Sequence, residues 1–170
     1  MTPFDLGALL SAMVACVCDV RTSRIPNALT GASLAAGIAA HVALAGGHGA
    51  LVALGGAVTG LAVFFPIFAL GGMGAGDVKL MAALGAWLGW GPTVWTALYA
   101  AMAGGVLALA WGFAQGYLRQ AFQNLRSLGT FWLIEGVRPL PPLTLDAGRG
   151  PRLPYAVPIL VGVLISIWRQ

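Results

Sequence analysis

Residues 71–92 read Gly-Gly-Met-Gly-Ala-Gly-Asp-Val-Lys-Leu-Met-Ala-Ala-Leu-Gly-Ala-Trp-Leu-Gly-Trp-Gly-Pro, and the number of times this chain crosses a bilayer turns on them. A glycine-rich approach ends at Asp77, an apolar run covers 78–90, and Gly89-Trp90-Gly91-Pro92 offers a break before another apolar run at 92–115. Residues 78–115 are long for one crossing and short for two. The residues on either side decide between them.

Further apolar runs lie at 4–20, 28–45, 50–70 and 153–168, set apart by clusters such as Ser23-Arg24-Ile25-Pro26-Asn27 and Ala45-Gly46-Gly47-His48-Gly49. With a break at Gly89–Pro92 there are six spans. If the N-terminus is outside, segments 20–27, 71–79 and 116–152 lie inside and hold Arg21, Arg24, Lys79, Arg119, Arg126, Arg138, Arg149 and Arg152. The other side keeps Arg169. That asymmetry is what the excess of Lys and Arg in cytoplasmic loops requires, and merging 78–115 would carry the loop arginines to the wrong face. The expectation is an all-α integral membrane protein: one domain over 1–170, six transmembrane helices, a periplasmic N-terminus and one long cytoplasmic loop.

Composition agrees. Of 170 residues 59% are hydrophobic and 8% charged, with a mean hydropathy of +0.87; soluble domains carry roughly 25% charged residues. A water-soluble globule is excluded, because so few charges could not cover its surface. The net charge of +4 comes from basic residues scattered along the chain, with no dense patch of the kind nucleic acid needs. Cys16 and Cys18 sit in one apolar run, poorly placed for a disulfide and without companions for zinc, so they read as small buried hydrophobes. No metal or cofactor is expected. No Lys or Arg precedes Arg21, so the first segment reads as a retained helix rather than a secretory signal.

Gly56/Gly60, Gly85/Gly89 and Gly112/Gly116 have the small-xxx-small spacing that lets helices approach closely in lipid; tight packing within the chain is the first reading and a homodimer interface the second. In the loop, Tyr117, Leu118, Ala121, Phe122, Leu125 and Leu128 alternate with Arg119, Gln123 and Arg126 at helical period, which predicts an amphipathic helix lying in the interface. Pro139, Pro141, Pro142, Pro151 and Pro154 then prevent regular helix and suggest a flap.

Carboxylates near a bilayer are costly and therefore functional suspects. Asp5 and Asp146 read as solvated terminus and turn residues, and Glu135, beside Phe131, Trp132 and Leu133, as interfacial. Asp19 closes the first run and Asp77 opens the fourth. An even number of spans separates them, so both belong to the cytoplasmic face. Two carboxyl groups close together in a low-dielectric site cannot both ionise easily, and such a pair holds one proton between them. The ionised member can take a proton from water attacking a peptide carbonyl while the other polarises that carbonyl and helps the amine leave. The glycines before Asp77 would let a substrate strand approach. The plainer reading makes both acids helix-end residues, Asp77 at a helix N-terminus and Asp19 paired with Arg21 or Arg24.

Around these acids the chain resembles a known family. The segment from Gly72 through Gly74-Ala75-Gly76-Asp77-Val78-Lys79 to Gly89 resembles the second aspartate motif of type IV prepilin peptidases, membrane aspartic proteases with a Gly-x-Gly-Asp signature. Asp19 through Pro26-Asn27 is similar to their first motif, and Arg152-Leu153-Pro154-Tyr155-Ala156-Val157-Pro158 to the start of their last span. The resemblance implies Asp19 and Asp77 as the catalytic pair, Gly74 and Gly76 as the signature glycines, and Lys79, Arg21 and Arg24 as contacts to substrate or lipid headgroups, or as topology anchors only. It implies a prepilin or pseudopilin substrate cut at the cytoplasmic face of the bacterial inner membrane, association with pilus assembly machinery, and neither metal nor cofactor. Bifunctional members carry an additional N-terminal region tied to N-methylation; this chain resembles the compact peptidase-only branch of tight-adherence or Flp-type systems, for which methyl transfer is not expected. An archaeal-type preflagellin peptidase is the near alternative. A small proton or cation transporter using the buried acids is the rival from another class, but its spans would have to relay charge through Ser11, Ser33, His41, Thr59, Thr96, Tyr99 and Ser166 alone.

Overall fold

The computed structural model describes residues 1–114 and 154–169, together with 116, 123, 126, 127, 129–131, 133 and 136. Helices α1 (Pro3–Thr22), α2 (Asn27–Ala69), α3 (Ala75–Leu88), α4 (Trp90–Ala114) and α5 (Ala156–Trp168) make up the bundle.

The start of α1 is a capping box. Thr2 is the N-cap and Pro3 fills the first helical position, where its missing N–H costs nothing. The Thr2 backbone N–H donates to Asp5 Oδ2 at 2.6 Å, and the Asp5 N–H donates to Thr2 Oγ1 at 3.2 Å. Asp5 is therefore a buried capping acid and not the solvated terminal residue expected from its position. At the other end Ser23 takes a left-handed conformation (φ 52°) and its N–H closes on the Asp19 carbonyl at 2.7 Å.

Helical backbone runs on through the cluster at 45–49, with a single break at Gly46 (φ 56°, ψ −139°), a conformation that only glycine adopts without strain. That one residue reverses the chain. A Cβ on Gly49 would strike the His41 carbonyl, a contact that a straight helix would not allow. The two arms of α2 also lie in opposite senses on α3. In the first arm Asn27 meets Lys79 and His41 meets Trp87; in the second, Gly56 meets Gly85 and Gly60 meets Met81. A Cβ on Gly56 would collide with the Gly85 carbonyl and one on Gly85 with the Gly56 carbonyl, so this small-xxx-small pair packs within the chain.

At 14 residues α3 is about 21 Å long, shorter than a hydrocarbon core of about 30 Å. It need not match the lipid, because it is the axis of the bundle. Val78, Leu80, Met81, Ala82, Ala83, Leu84 and Ala86 are all buried, as an apolar surface on every side of a helix requires. Gly89 (φ 75°) turns the chain into α4, so the break at Gly89–Pro92 is real. α4 and α5 run antiparallel: Ser166 Oγ donates to the Pro92 carbonyl at 3.3 Å, Gly162 abuts Thr96 and Ala100, and Gly104 abuts Tyr155. Arg169 stacks over Trp95 at 3.8 Å.

Counting the arms of α2 separately, six apolar segments alternate in direction between two ends, one carrying Asp19 and Asp77 and the other Trp87, His41 and Arg169. Among the described residues α1, α2 and α4 are long and apolar enough to cross a membrane, and α5 is a shorter apolar helix. From Trp87 a polar chain binds three elements: Trp87 Nε1 donates to Ser33 Oγ (3.1 Å), Ser33 Oγ to Ser11 Oγ (2.7 Å) and Ser11 Oγ to the Gly7 carbonyl (2.8 Å). His41, bonded through Nε2 to the Trp87 carbonyl at 3.0 Å, stacks on Phe4 with centroids 4.0 Å apart.

In the loop the described positions 123, 126, 127, 129–131 and 133 are helical, with Thr130 Oγ1 donating to the Arg126 and Ser127 carbonyls. The readings of Arg119, Glu135, Arg138, Asp146, Arg149, Arg152, of the prolines at 139, 141, 142 and 151, and of Tyr117, Leu118, Ala121, Phe122, Leu125 and Leu128 as an amphipathic face lie outside the described residues.

Candidate active site

Three separated stretches of sequence meet at one end of the bundle. Asp19 leaves the last turn of α1 and is buried, 9% exposed, in a place where an acid needs partners. Its Oδ2 accepts the backbone N–H of Ala156, the first residue of α5, at 3.2 Å. Helix N-termini present free N–H groups and the positive end of the helix dipole, so α5 supplies both a donor and a favourable field. Asp19 belongs to this helix end; the pairing with Arg21 or Arg24 that its neighbours in sequence suggest is not the contact that buries it.

Asp77 stands in the first turn of α3, the third residue after the Gly74 N-cap. Its carboxylate turns back toward that cap: a Cβ on Gly74 would stand 3.1 Å from Asp77 Oδ2. Glycine at 74 thus leaves room for the acid. The other signature glycine does a different job, since a Cβ on Gly76 would press on the Ile25 Cβ at 3.3 Å. Ile25 belongs to the Asp19 stretch, so Gly76 sets how closely the two aspartate segments approach.

The Gly76–Ile25 contact thus sets the Asp77 stretch against the Asp19 stretch, and the residue before Ala156, Tyr155, stands at the same end. The Tyr155 ring meets Phe64 of α2 edge to face at 6.4 Å and its hydroxyl lies against Gly104 of α4. Ala156 therefore joins the last helix to Asp19, while Tyr155 beside it packs against α2 and α4. Sequence reasoning quoted these two residues within a motif but assigned them no task.

Lys79, on the far side of α3 from Asp77, donates through Nζ to Asn27 Oδ1 at 2.9 Å. Asn27 was likewise quoted only as motif, and its partner could have been sought from the same-end placement of the two segments. Arg21 and Arg24 are exposed beside Asp19, and the Arg24 carbonyl accepts from Thr22 Oγ1 at 3.1 Å. Cys16 and Cys18 are free thiols, half-buried, with Cys16 packed on the core.

Residues 6–109 match the model of the type IV leader peptidase family, a range that contains both Asp19 and Asp77. The chain is 39% identical over 117 residues to a prepilin leader peptidase/N-methyltransferase of Burkholderia pseudomallei (strain 1026b), covering 64% of this chain and 37% of that protein. It is 34% identical over 136 residues to a protein of the same description from Pectobacterium carotovorum subsp. carotovorum, covering 74% of this chain and 46% of the relative. The chain thus spans less than half the length of these curated relatives. No solved structure matches it. With its apolar helical bundle, its converging aspartate segments and a family match across more than half of its length, the chain belongs to the type IV leader peptidase family.

Proposed function

We propose that this chain is a membrane aspartic endopeptidase that removes the leader peptide of type IV prepilins or prepilin-like proteins. The observation that carries the reading is the meeting of the Asp19 and Asp77 segments at one end of the bundle, through Gly76 and Ile25, each acid on a different helix and each within the matched family segment. In this reading the pair holds one proton. The ionised carboxylate draws a proton from a water molecule as its oxygen attacks the scissile carbonyl. The protonated one donates to the carbonyl oxygen and, after reversal, a proton passes to the departing amine. The Ala156 N–H keeps Asp19 from rotating away, and Gly74 keeps the space over Asp77 open to an extended substrate strand.

The reading places this end of the bundle at the cytoplasmic face of the inner membrane, with the N-terminus periplasmic. Support comes from exposed Arg21, Arg24 and Lys79 at the Asp end, against Arg169 stacked on Trp95 at the other. The relatives' names join two activities. The proposal takes up the peptidase half, because the two aspartates are what the described site offers, and assigns no methyl-donor site.

The test uses the purified full chain in detergent micelles with a synthetic prepilin-type peptide spanning a basic leader and an apolar helix, read by mass spectrometry. A single cut ahead of the apolar stretch, unaffected by chelator, is the expected result. An intact peptide, with proton flux through the protein in liposomes, would overturn the reading in favour of transport.

A further inference from the structure

Lys79 follows Asp77 by two residues, so its side chain leaves α3 about 200° around the helix from the acid. Beneath its bond to Asn27, the two arms of α2 and α3 leave a groove of about 410 Å³. Asn27, Thr30 and Lys79 give the groove its polar groups, and Leu34, Leu61 and Ala82 its apolar wall, with Gly31 between. Lys79 and Leu61 are exposed, so the groove opens to the outside of the bundle, where the acyl chains lie.

We propose that this groove holds one anionic phospholipid, its phosphate against the Lys79 ammonium and an acyl chain between Leu34, Leu61 and Ala82. The ammonium has a neutral oxygen from Asn27 where a counter-charge would bind more strongly, and a basic pocket between helices at a membrane face suits a lipid phosphate. A free anion would leave the apolar walls unfilled. A peptide would set its backbone N–H and C=O groups against Leu34 and Leu61, where no partner exists to satisfy them. An amphiphile with one charged head matches both halves of the groove. Such a lipid would clamp the α2 hairpin to α3 directly behind Asp77. The inference does not rest on the peptidase reading, and its test measures binding alone.

The experiment is native mass spectrometry of the full chain in an uncharged detergent, titrated with phosphatidylglycerol or with phosphatidylcholine of the same chains. One phosphatidylglycerol is expected to be retained at about a tenth of the concentration phosphatidylcholine requires, the effect of a single charge-assisted contact. Lys79→Gln should erase that preference. Gly31→Leu, whose Cβ enters open space and so leaves the helix packing intact, should weaken both lipids by filling the groove. Arg169→Gln, at the opposite end, should change nothing. Equal binding of the two lipids would overturn the proposal, as would wild-type binding by both Lys79→Gln and Gly31→Leu, or an equal loss in Arg169→Gln. Displacement of the lipid by inorganic phosphate or by a prepilin-type peptide would overturn it too, reassigning the groove to a free anion or to substrate.

Discussion

The Ala156 backbone N–H donates to Asp19 Oδ2 at 3.2 Å, so the start of the last helix holds the acid that ends the first. This relationship separates two roles of one carboxylate. As an acceptor it satisfies a buried donor; the proposed mechanism asks it also to exchange protons.

Substitution divides those roles. Asp19→Asn keeps an oxygen for the Ala156 N–H and should unfold near the wild-type temperature. Asp19→Ala leaves that buried N–H without a partner and should lose about 1–3 kcal/mol. Thermal unfolding of the two variants in the same detergent checks this, and equal midpoints would show the bond to be dispensable.

Gly74 is the second point of leverage. Gly74→Ala puts a methyl group 3.1 Å from Asp77 Oδ2 and forces the carboxylate to move. Cleavage should fall by about tenfold or more, equivalent to about 1.4 kcal/mol of transition-state stabilisation, with unfolding little changed. Kinetics on a prepilin-type peptide gives the answer; an unaltered rate would mean the acid acts from another position.

Close helix packing makes a sharper contrast between neighbours. At Gly56 a Cβ would collide with the Gly85 carbonyl, whereas at Gly55 it meets nothing within 4 Å. Gly56→Ala should destabilise by about 1–3 kcal/mol through overpacking. Gly55→Ala should be neutral or gain up to about 1 kcal/mol from helix propensity. Reversible unfolding in mixed micelles compares the pair.

The Ser33 hydroxyl accepts from Trp87 Nε1 and donates to Ser11 Oγ, tying α3 to α1 and α2 within the bundle. Ser33→Ala strands the indole N–H and should cost about 1–3 kcal/mol while leaving the chemistry of the Asp end untouched. Unfolding and cleavage measured together would reveal any coupling between the two ends.

Much of this was legible in the sequence for identifiable reasons. The scarcity of charge pointed to a bilayer, the breakers pointed to six apolar segments, which the bundle matches in helical segments when the arms of α2 are counted separately, and an even number of segments put Asp19 and Asp77 at one end. What escaped did so for different physical reasons. The Ala156 donor is a backbone group, available only once α5 begins there. Asp5 was misread as solvated because Thr2-x-x-Asp5 at the very start of the chain looks like an exposed terminus until Thr2 caps the helix and buries it. The cluster at 45–49 suggested a loop, but one residue in a left-handed conformation suffices to reverse a helix, and which glycine takes it depends on how the arms pack on α3. Asn27 and Tyr155 were visible as motif letters; the same-end placement narrows the search for Asn27's partner, but Lys79 for Asn27 and Phe64 for Tyr155 are fixed by how the helices pack.

The central claim is that Asp19 and Asp77 act as one catalytic pair, and the most direct measurement is prepilin processing by Asp19→Asn and Asp77→Asn made separately, with Asp5→Asn as a control for an acid used only in capping. Both site variants should fold with wild-type helix content and show no processing above background, while Asp5→Asn processes normally. Processing retained by either Asp19→Asn or Asp77→Asn would contradict the account.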